Sequence, residues 1–348
     1  MEKQNLCVQY VIQEVLFNKL KTLINLKSVS IDTISNLTDF KIEQIFKEAK
    51  YHKQDYKPNC PFCGSFKKRK VNNKFRCKDC YKFYSITKDT IFENHKLPLR
   101  KYLLSIFLFV NSVKGLSSLQ LSRELNISQK NSFVILHKIR TALFNQYEML
   151  NQNKLKGNIQ IDGAYINYLP KKKNKKKDRE DRRELKHQNQ ECIITMREVN
   201  GNIKDRSYAF IIKNENKEDI EKLINLYIEQ QSTIITDEHT SYKGIKNICN
   251  INGETLFNHK SVNHSEEYQN DEGVNTNFAE SYFSRLRRMV IGQHHSLSKK
   301  YLELYVNEIT YRENMRNYTN TEVLIDILKH CMNCKPNTNF NRYFQRKK

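Results

Sequence analysis

Apolar residues recur along the first third of the chain at helical spacing. Val11, Val15, Leu16, Leu20, Leu23 and Ile24 mark one stretch, and a second runs over 34–49. Pro98 then introduces a strongly apolar run, LLSIFLFV, which ends near Gly115 and reads as a buried helix. From 116 to 144 the pattern is helix, short turn, helix, with a polar bridge over 146–157. Ser117 or Ser118 can cap the first of these helices, and Leu119, Leu121 and Leu125 give it an apolar side. Asn126-Ile127-Ser128 breaks it, and Ser128 can cap a second helix running through Phe133, Leu136 and Ile139.

The spacing then changes. Strand-like segments stand at 159–166, 192–199, 208–212 and 233–236, with an amphipathic helix of about a dozen residues before the last of them. Beyond Gly273 the chain is helical again, through SYFSRLRRMV and YLELYVNEITYRENMRN. The fold class expected is α/β, α+β overall: a helical front part, then a mixed sheet flanked by helices. Residues 170–188, PKKKNKKKDREDRRELKHQ, are too charged to enter a core and are expected to form a solvated basic loop.

Charge narrows the partners. Sixty Lys and Arg against 38 Asp and Glu leave a net +22, a field that draws nucleic acid or an anionic surface. The sequence has only 9 glycines and no Trp and is rich in Lys and Asn, which discounts the charge as an argument for DNA on its own. No window of about 18 apolar residues is present, and MEKQNLCVQY lacks the pattern of a signal peptide, so no membrane partner is expected and an intracellular site is. The 9 cysteines are then expected as thiols and metal ligands.

Four of them are spaced for a metal. Cys60-Pro-Phe-Cys63 and Cys77-Lys-Asp-Cys80 are two C-x2-C pairs separated by thirteen residues, the ligand set of a closed structural Zn²⁺ site. Such a site has no open coordination position, so it supports a fold and performs no chemistry. Lys68, Arg69, Lys70 and Arg76 surround it, interleaved with Phe66 and Phe75, a mixture suited to phosphate contact beside a base or sugar. Cys331 and Cys334, beside His330, form a further pair without a second pair in range. Gln129, Lys130, Asn131, Lys138 and Arg140 are candidates for the exposed, DNA-reading side of the helix that follows the turn.

The carboxylates carry the candidate chemistry. Asp162 closes the apolar segment 158–162, Asp237 ends 233–237, and Glu280 falls in a helix with Arg287 two turns further on the same face. Two strand-end aspartates side by side are costly unless a cation lies between them. Three carboxylates holding Mg²⁺ or Mn²⁺ suit in-line attack on phosphorus, with Arg287 gripping the DNA backbone and Arg288 beside it.

With these residues in view, the chain resembles the Merlin superfamily of DNA transposons and its bacterial insertion-sequence relatives. The resemblance covers roughly 58–318. It rests on CPFCGS, FRCKDCYKFYSITKDTIFENHKLPLRKYL, SSLQLSRELNISQKNSFVILHKIR, IQIDGAYI, IITDEHTSYKGI, NHKSVNHSEEY, NTNFAESYFSRLRR and IGQHHSLSKKYLELYVNEITYREN. It implies an RNase H-like DDE transposase domain with Asp162, Asp237 and Glu280 as the metal-binding triad. Some relatives use an asparagine in third place, which would match Asn277. It also leads one to expect an acidic residue directly after the first aspartate, where this chain has Gly163.

The organisation expected is therefore 1–57, a helical region without an assigned role; 58–95, a zinc ribbon; 96–150, a helix-turn-helix region; 151–318, the catalytic domain; and 319–348, a tail. The function expected is a transposase that binds terminal inverted repeats, cleaves the element ends and joins them to target DNA. It would act as a homodimer or larger assembly on double-stranded DNA, in the nucleus of a eukaryotic host or in the cytoplasm with the nucleoid of a bacterium. The alternative is a domesticated, sequence-specific DNA-binding protein that no longer cuts.

Overall fold

In a computed structural model, the residues described are 29–51, 58–72, 74–150, 153–167, 190–201, 205–249, 253–262, 276–337 and 340. The helical stretch expected at 11–24, the basic loop 170–188 and His264 of the NHKSVNHSEEY motif lie outside them. The chain divides into two compact units, Met1–Gln146 with Tyr318–Lys348, and Tyr147–Asn317. Among the described residues no helix is long and apolar enough to cross a membrane.

The first unit is helical around a small sheet. α1 (Ile31–Asn36) is capped by Ser30, whose hydroxyl accepts from the Thr33 N–H, and is followed by α2 (Asp39–Tyr51). Arg100 closes the turn between them: its guanidinium donates to the carbonyls of Ile34, Ser35 and Leu37 and to the Asp39 carboxylate. Those are carbonyls that the end of α1 leaves without an intrahelical donor. Strands β1 (Lys68–Val71), β2 (Lys74–Cys77) and β3 (Phe83–Tyr84) form an antiparallel sheet in that order.

The apolar run expected as a buried helix is α3 (Leu99–Asn111), which buries Tyr102, Leu103, Leu104, Ile106 and Phe109. α4 (Ser118–Leu125) is capped by Ser117 and ends at Asn126 in the left-handed region, φ 49°. α5 (Gln129–Leu150) then starts with the Ser128 hydroxyl accepting from the Asn131 N–H. Leu119, expected on the apolar side of α4, is exposed, because Leu121 and Leu125 are the pair spaced to face inward. The polar bridge expected from 146 begins only after α5 has run to Leu150.

The second unit carries a mixed five-stranded sheet. Its strands are β4 (Asn158–Asn167), β5 (Gln190–Glu198), β6 (Ser207–Ile212), β7 (Thr233–Asp237) and β8 (Asn258–Val262), in the order β6-β5-β4-β7-β8. β4–β5 and β5–β6 pair antiparallel, β4–β7 and β7–β8 parallel. This order and direction fit the RNase H-like core that the resemblance implies. β5 is buried along nearly its whole length, as a strand covered on both faces must be.

Alternate residues of β4 serve opposite faces. Ile159 and Ile161 pack with Ile220 and Ile224 of α6 (Lys217–Tyr227), whereas Ala164 and Ile166 pack with Tyr282, Phe283 and Leu286 of α7 (Asn277–Met289) and with Leu302, Val306 and Ile309 of α8 (Lys299–Asn314). The sequence pattern shows no β8, because NHKSV has no alternation; it is a polar edge strand with a partner on one side only. Beyond the second unit, where a tail is expected, α9 (Asn320–Asn333) forms under a capping box of Thr319 and Glu322 and buries Leu324, Ile325, Ile327, Leu328, Cys331 and Met332 within the first unit.

Candidate active site and cysteine cluster

Strand register brings the two aspartates together. Gln160 of β4 stands opposite Ile235 of β7 at the last paired position, and Asp162 and Asp237 lie two residues further along each strand, on the same face. Asp162 is thus inside β4, which runs on to Asn167, and does not close the strand as expected. Its Oδ1 accepts the Gly163 backbone N–H at 2.8 Å, and Asp237 Oδ1 accepts that of His239 at 3.1 Å.

Glu280 sits in the first turn of α7, and that turn is fastened to the sheet. Gln160 Oε1, two residues before Asp162, accepts the backbone N–H groups of Phe278 at 3.0 Å and Ala279 at 3.2 Å. Two donors that a helix start leaves open are satisfied by the strand that carries Asp162. Arg197 of β5 donates to the Phe278 carbonyl at 3.0 Å and is itself buried, paired with Glu313 of α8 at 3.0 Å. Glu313 takes a second cation from Arg285 of α7. Helix and sheet are therefore locked by a buried charge network around the residue two before Glu280.

The charges register this convergence. Burial pushes the Asp162 carboxyl up to about 7, with Asp237, Glu215 and Glu280 adding to the shift against the Gly163 hydrogen bond. The other two sequence-predicted acidic residues, Asp237 and Glu280, thus both act on Asp162. Glu215, in the turn between β6 and α6, is a fourth that no sequence motif singles out. Asn277, the alternative third residue, opens α7 one turn before Glu280. Arg287 and Arg288 are exposed in the last turn of α7, and Arg288 donates to the Ser284 hydroxyl at 2.8 Å. Carboxylate oxygens are the donors that hard divalent cations take, although among the described residues only the four cysteines bring three or more ligand atoms within 4.8 Å of one another.

The four cysteines of the ribbon lie with every Sγ within 4.8 Å of the others. Cys60 Sγ and Cys80 Sγ are 3.6 Å apart, as are those of Cys63 and Cys77. Ligands about 2.3 Å from a tetrahedral centre are about 3.8 Å apart, so the spacing fits such a centre. The Cys80 backbone N–H above all, with that of Asp79, holds the Cys77 thiol down to about 6, which favours the thiolate a metal requires. Gly64 completes the first knuckle at φ 74°, its N–H donating to the Cys60 carbonyl at 2.8 Å.

Cations and rings alternate on the ribbon surface. The Arg76 guanidinium lies 5.5 Å from the ring centres of Tyr81 and Phe83, and Lys82 and Lys88 approach the Phe62 ring at 4.8 and 5.7 Å. Phe62, Phe66, Tyr81 and Phe83 are exposed. Of the expected phosphate contacts, Arg69 is exposed, Lys70 pairs with Glu43, and Lys68 turns back to the Pro58 carbonyl at 2.5 Å.

Gln129, Lys130 and Asn131 are exposed in the first turn of α5, and Lys138 is half-buried. Arg140, expected to be exposed, is buried at 1% accessibility, donating to the Leu116 carbonyl at 3.4 Å and facing the Phe109 ring. It stands one helical turn after the buried Leu136, on the inward stripe, which the sequence already carries.

Known proteins resemble this chain. Residues 154–314 match the family model of the ISXO2-like transposase domain. An uncharacterized protein in the transposable element ISH50 of Halobacterium salinarum is 24% identical over 292 residues, 78% of this chain and 90% of that protein. The crystal structure of the Mos1 strand transfer complex is matched over 65% of this chain and 78% of that one, at 12% identity and a TM-score of 0.20, too low to carry an argument. The insertion-sequence relatives to which the sequence pointed are thus the ones that match, and residues 154–314, which make up nearly all of the second unit, are similar to the ISXO2-like transposase domain.

Proposed function

We propose that the chain is a DNA transposase that recognises terminal inverted repeats, cleaves the element ends and joins them to target DNA. The observation that carries this is the fastening of the Glu280 helix to the Asp162 strand by the Gln160 side chain. It ties the helix that carries Glu280 to the strand that carries Asp162, which supports a reading in which the three carboxylates serve one phosphoryl transfer.

Asp162, Asp237 and Glu280 hold Mg²⁺ or Mn²⁺. When bound, a pair of such ions activates a water or a 3′-hydroxyl and stabilises the departing oxygen. Asp162 Oδ1 accepts the Gly163 N–H, which restrains its carboxyl. Arg287 contacts the DNA backbone near the reacting phosphate. The four thiolates of the ribbon hold Zn²⁺, which keeps Arg69, Arg76 and the exposed rings on one surface against DNA. Gln129, Lys130 and Asn131 read or contact the repeats from the start of α5, and pairing of two element ends requires a dimer or larger assembly.

The test is cleavage of labelled DNA carrying the element's terminal repeats, in Mg²⁺ and in Mn²⁺. Nicks at the repeat ends are expected with the parent protein and are expected to fall to background in Asp162→Ala, Asp237→Ala and Glu280→Ala. Loss in Asn277→Ala with survival in Glu280→Ala moves the third ligand. A parent protein that binds the repeats and cuts in neither metal is a DNA-binding protein without cleavage activity, and the proposal falls.

A further inference from the structure

The ribbon sheet has two unlike faces. In the register of β1–β3, Arg69 stands opposite Arg76 and Arg76 opposite Phe83, so these three side chains form one row across the sheet. The alternate positions face the other way: Phe75 packs on Tyr84, ring centres 5.6 Å apart, beside Cys60 and Cys77, and Lys70 pairs with Glu43 of α2. The row is therefore the outer face, with Arg69 and Phe83 exposed and Arg76 half-buried. Tyr81 adds a second ring to it, since the Arg76 guanidinium lies 5.5 Å from the ring centres of both Tyr81 and Phe83.

Tyr81 stands there under strain. Each knuckle ends, one residue after its second cysteine, in a left-handed residue: Gly64 at φ 74° and Tyr81 at φ 58°. Glycine takes that conformation freely, whereas a bulky residue does not. Apart from the Arg76 contact the Tyr81 ring recovers little by burial, for it is 65% exposed, and Phe83 is 51% exposed. The second knuckle would close more easily on glycine, as the first does. A strained residue that keeps an exposed ring on a charged face points to a ligand for that ring.

Rings and arginines together suit an anion with flat apolar faces, which is a nucleic acid strand. Bases in a duplex are stacked on one another and offer a protein their edges and backbone, whereas unpaired bases expose their faces. Rings standing out from a sheet with guanidinium groups between them suit the second kind, base on ring and phosphate on cation. We infer that the outer face of the ribbon sheet binds single-stranded DNA, stacking unpaired bases on Tyr81 and Phe83 with Arg69 and Arg76 on the phosphates. This rests on the reading of the ribbon as a DNA-binding surface and narrows it to an unpaired strand, such as a cleaved or opened end presents.

The experiment follows the fluorescence anisotropy of a labelled single-stranded oligonucleotide of mixed sequence, and of the blunt duplex of the same sequence, against the zinc-loaded full chain. Tyr81→Gly supplies the residue that the backbone favours, so the ribbon is expected to melt no earlier than in the parent, while single-strand affinity falls about tenfold, within what one stacked base contributes. Phe83→Ala is expected to lose as much. Both are expected to leave duplex affinity unchanged and, because no charge is removed, to leave the salt dependence of single-strand binding unchanged. Phe40→Ala, which removes an exposed ring from α2, is expected to bind as the parent does. The chain has no Trp, so Phe83→Trp supplies a lone indole on this face without removing a ring, and its fluorescence is expected to be quenched by the single strand and not by the duplex. Equal losses for single strand and duplex in the two ring variants, or quenching of the indole by both, overturn the single-strand assignment and leave the ribbon a duplex-binding surface. Parent-like binding of both DNAs in the two ring variants, with no quenching, removes this face from DNA and leaves the reading of the other regions standing. A parent protein that binds neither DNA overturns the DNA-binding reading itself.

Discussion

The cysteine cluster and the carboxylate cluster both gather groups that repel one another when ionised, over very different lengths of chain. The four thiols come from residues 60–80, and a small antiparallel sheet with two knuckles suffices to converge them. The carboxylates at 162, 215, 237 and 280 are carried by separate elements, and the last three act on the first only when the five-stranded sheet and its helices have closed. The ribbon's own core is only Cys60, Cys77 and Tyr84, so a metal on the first cluster would supply much of its stability, whereas the second cluster is carried by the packed sheet and helices of its unit. Metal should therefore be indispensable to the ribbon's fold and dispensable to that of the second unit.

The largest effect expected is from removing the thiolate centre. Cys77→Ser, or a strong chelator, is expected to withdraw metal-binding free energy on the order of 10 kcal/mol from a three-stranded ribbon whose own core is Cys60, Cys77 and Tyr84. Hydrogen exchange should then show protection lost from β1–β3 and kept in β5. Equal protection of the ribbon before and after stripping would sink the comparison.

A smaller effect, in the other region, should follow from unfastening α7. Arg197→Met leaves Glu313 with part of its charge uncompensated in the interior and should cost roughly 3–5 kcal/mol in denaturant unfolding. Gln160→Leu leaves two helix N–H groups without an acceptor and should cost about 1–3 kcal/mol. Both should also slow cleavage. Full cleavage at reduced stability would mean that the position of Glu280 does not depend on this network.

A further effect concerns pH. Asp162 ionises near 7 in the folded chain against an ordinary value of 3.8, so the folded state keeps a proton that the unfolded state gives up. The stability this contributes is full below about 3.8 and is lost as pH rises through about 7. In metal-free protein, Asp162→Asn should therefore melt above the parent by a margin that widens over that interval and is constant beyond it. Mn²⁺ should reverse the order. A margin independent of pH would remove Asp162 from the negative cluster.

The two regions also differ in how far they were legible. Ligand spacing alone identifies the ribbon, because its geometry is local. Asp162 and Asp237 are visible as polar ends or interruptions of apolar segments, and Glu280 by its helix and Arg287. Glu215 is not visible: it lies 52 residues beyond Gly163, in a turn, and its relation to the site depends on the pairing of β4 with β5 and of β5 with β6. The part played by Gln160 is equally hidden, since a glutamine inside a strand has no signature of the helix start it will cap. Arg140 was misread for the opposite reason. Its charge argued for the surface, while its place one turn after Leu136 put it on the buried stripe, and periodicity prevailed because Leu116 offers the guanidinium an acceptor.

The position of α9 has a consequence for how the chain is made. Helices α1–α5 precede the transposase domain in synthesis, and the helix that completes their unit follows it. On the ribosome the first unit waits, unfinished, while all of the second is translated, its inward side chains uncovered until α9 emerges. A nascent chain halted at the end of the second unit would carry every acidic residue of the candidate site and lack a finished helical unit. The order of genetic information thus places completion of the first unit after that of the second.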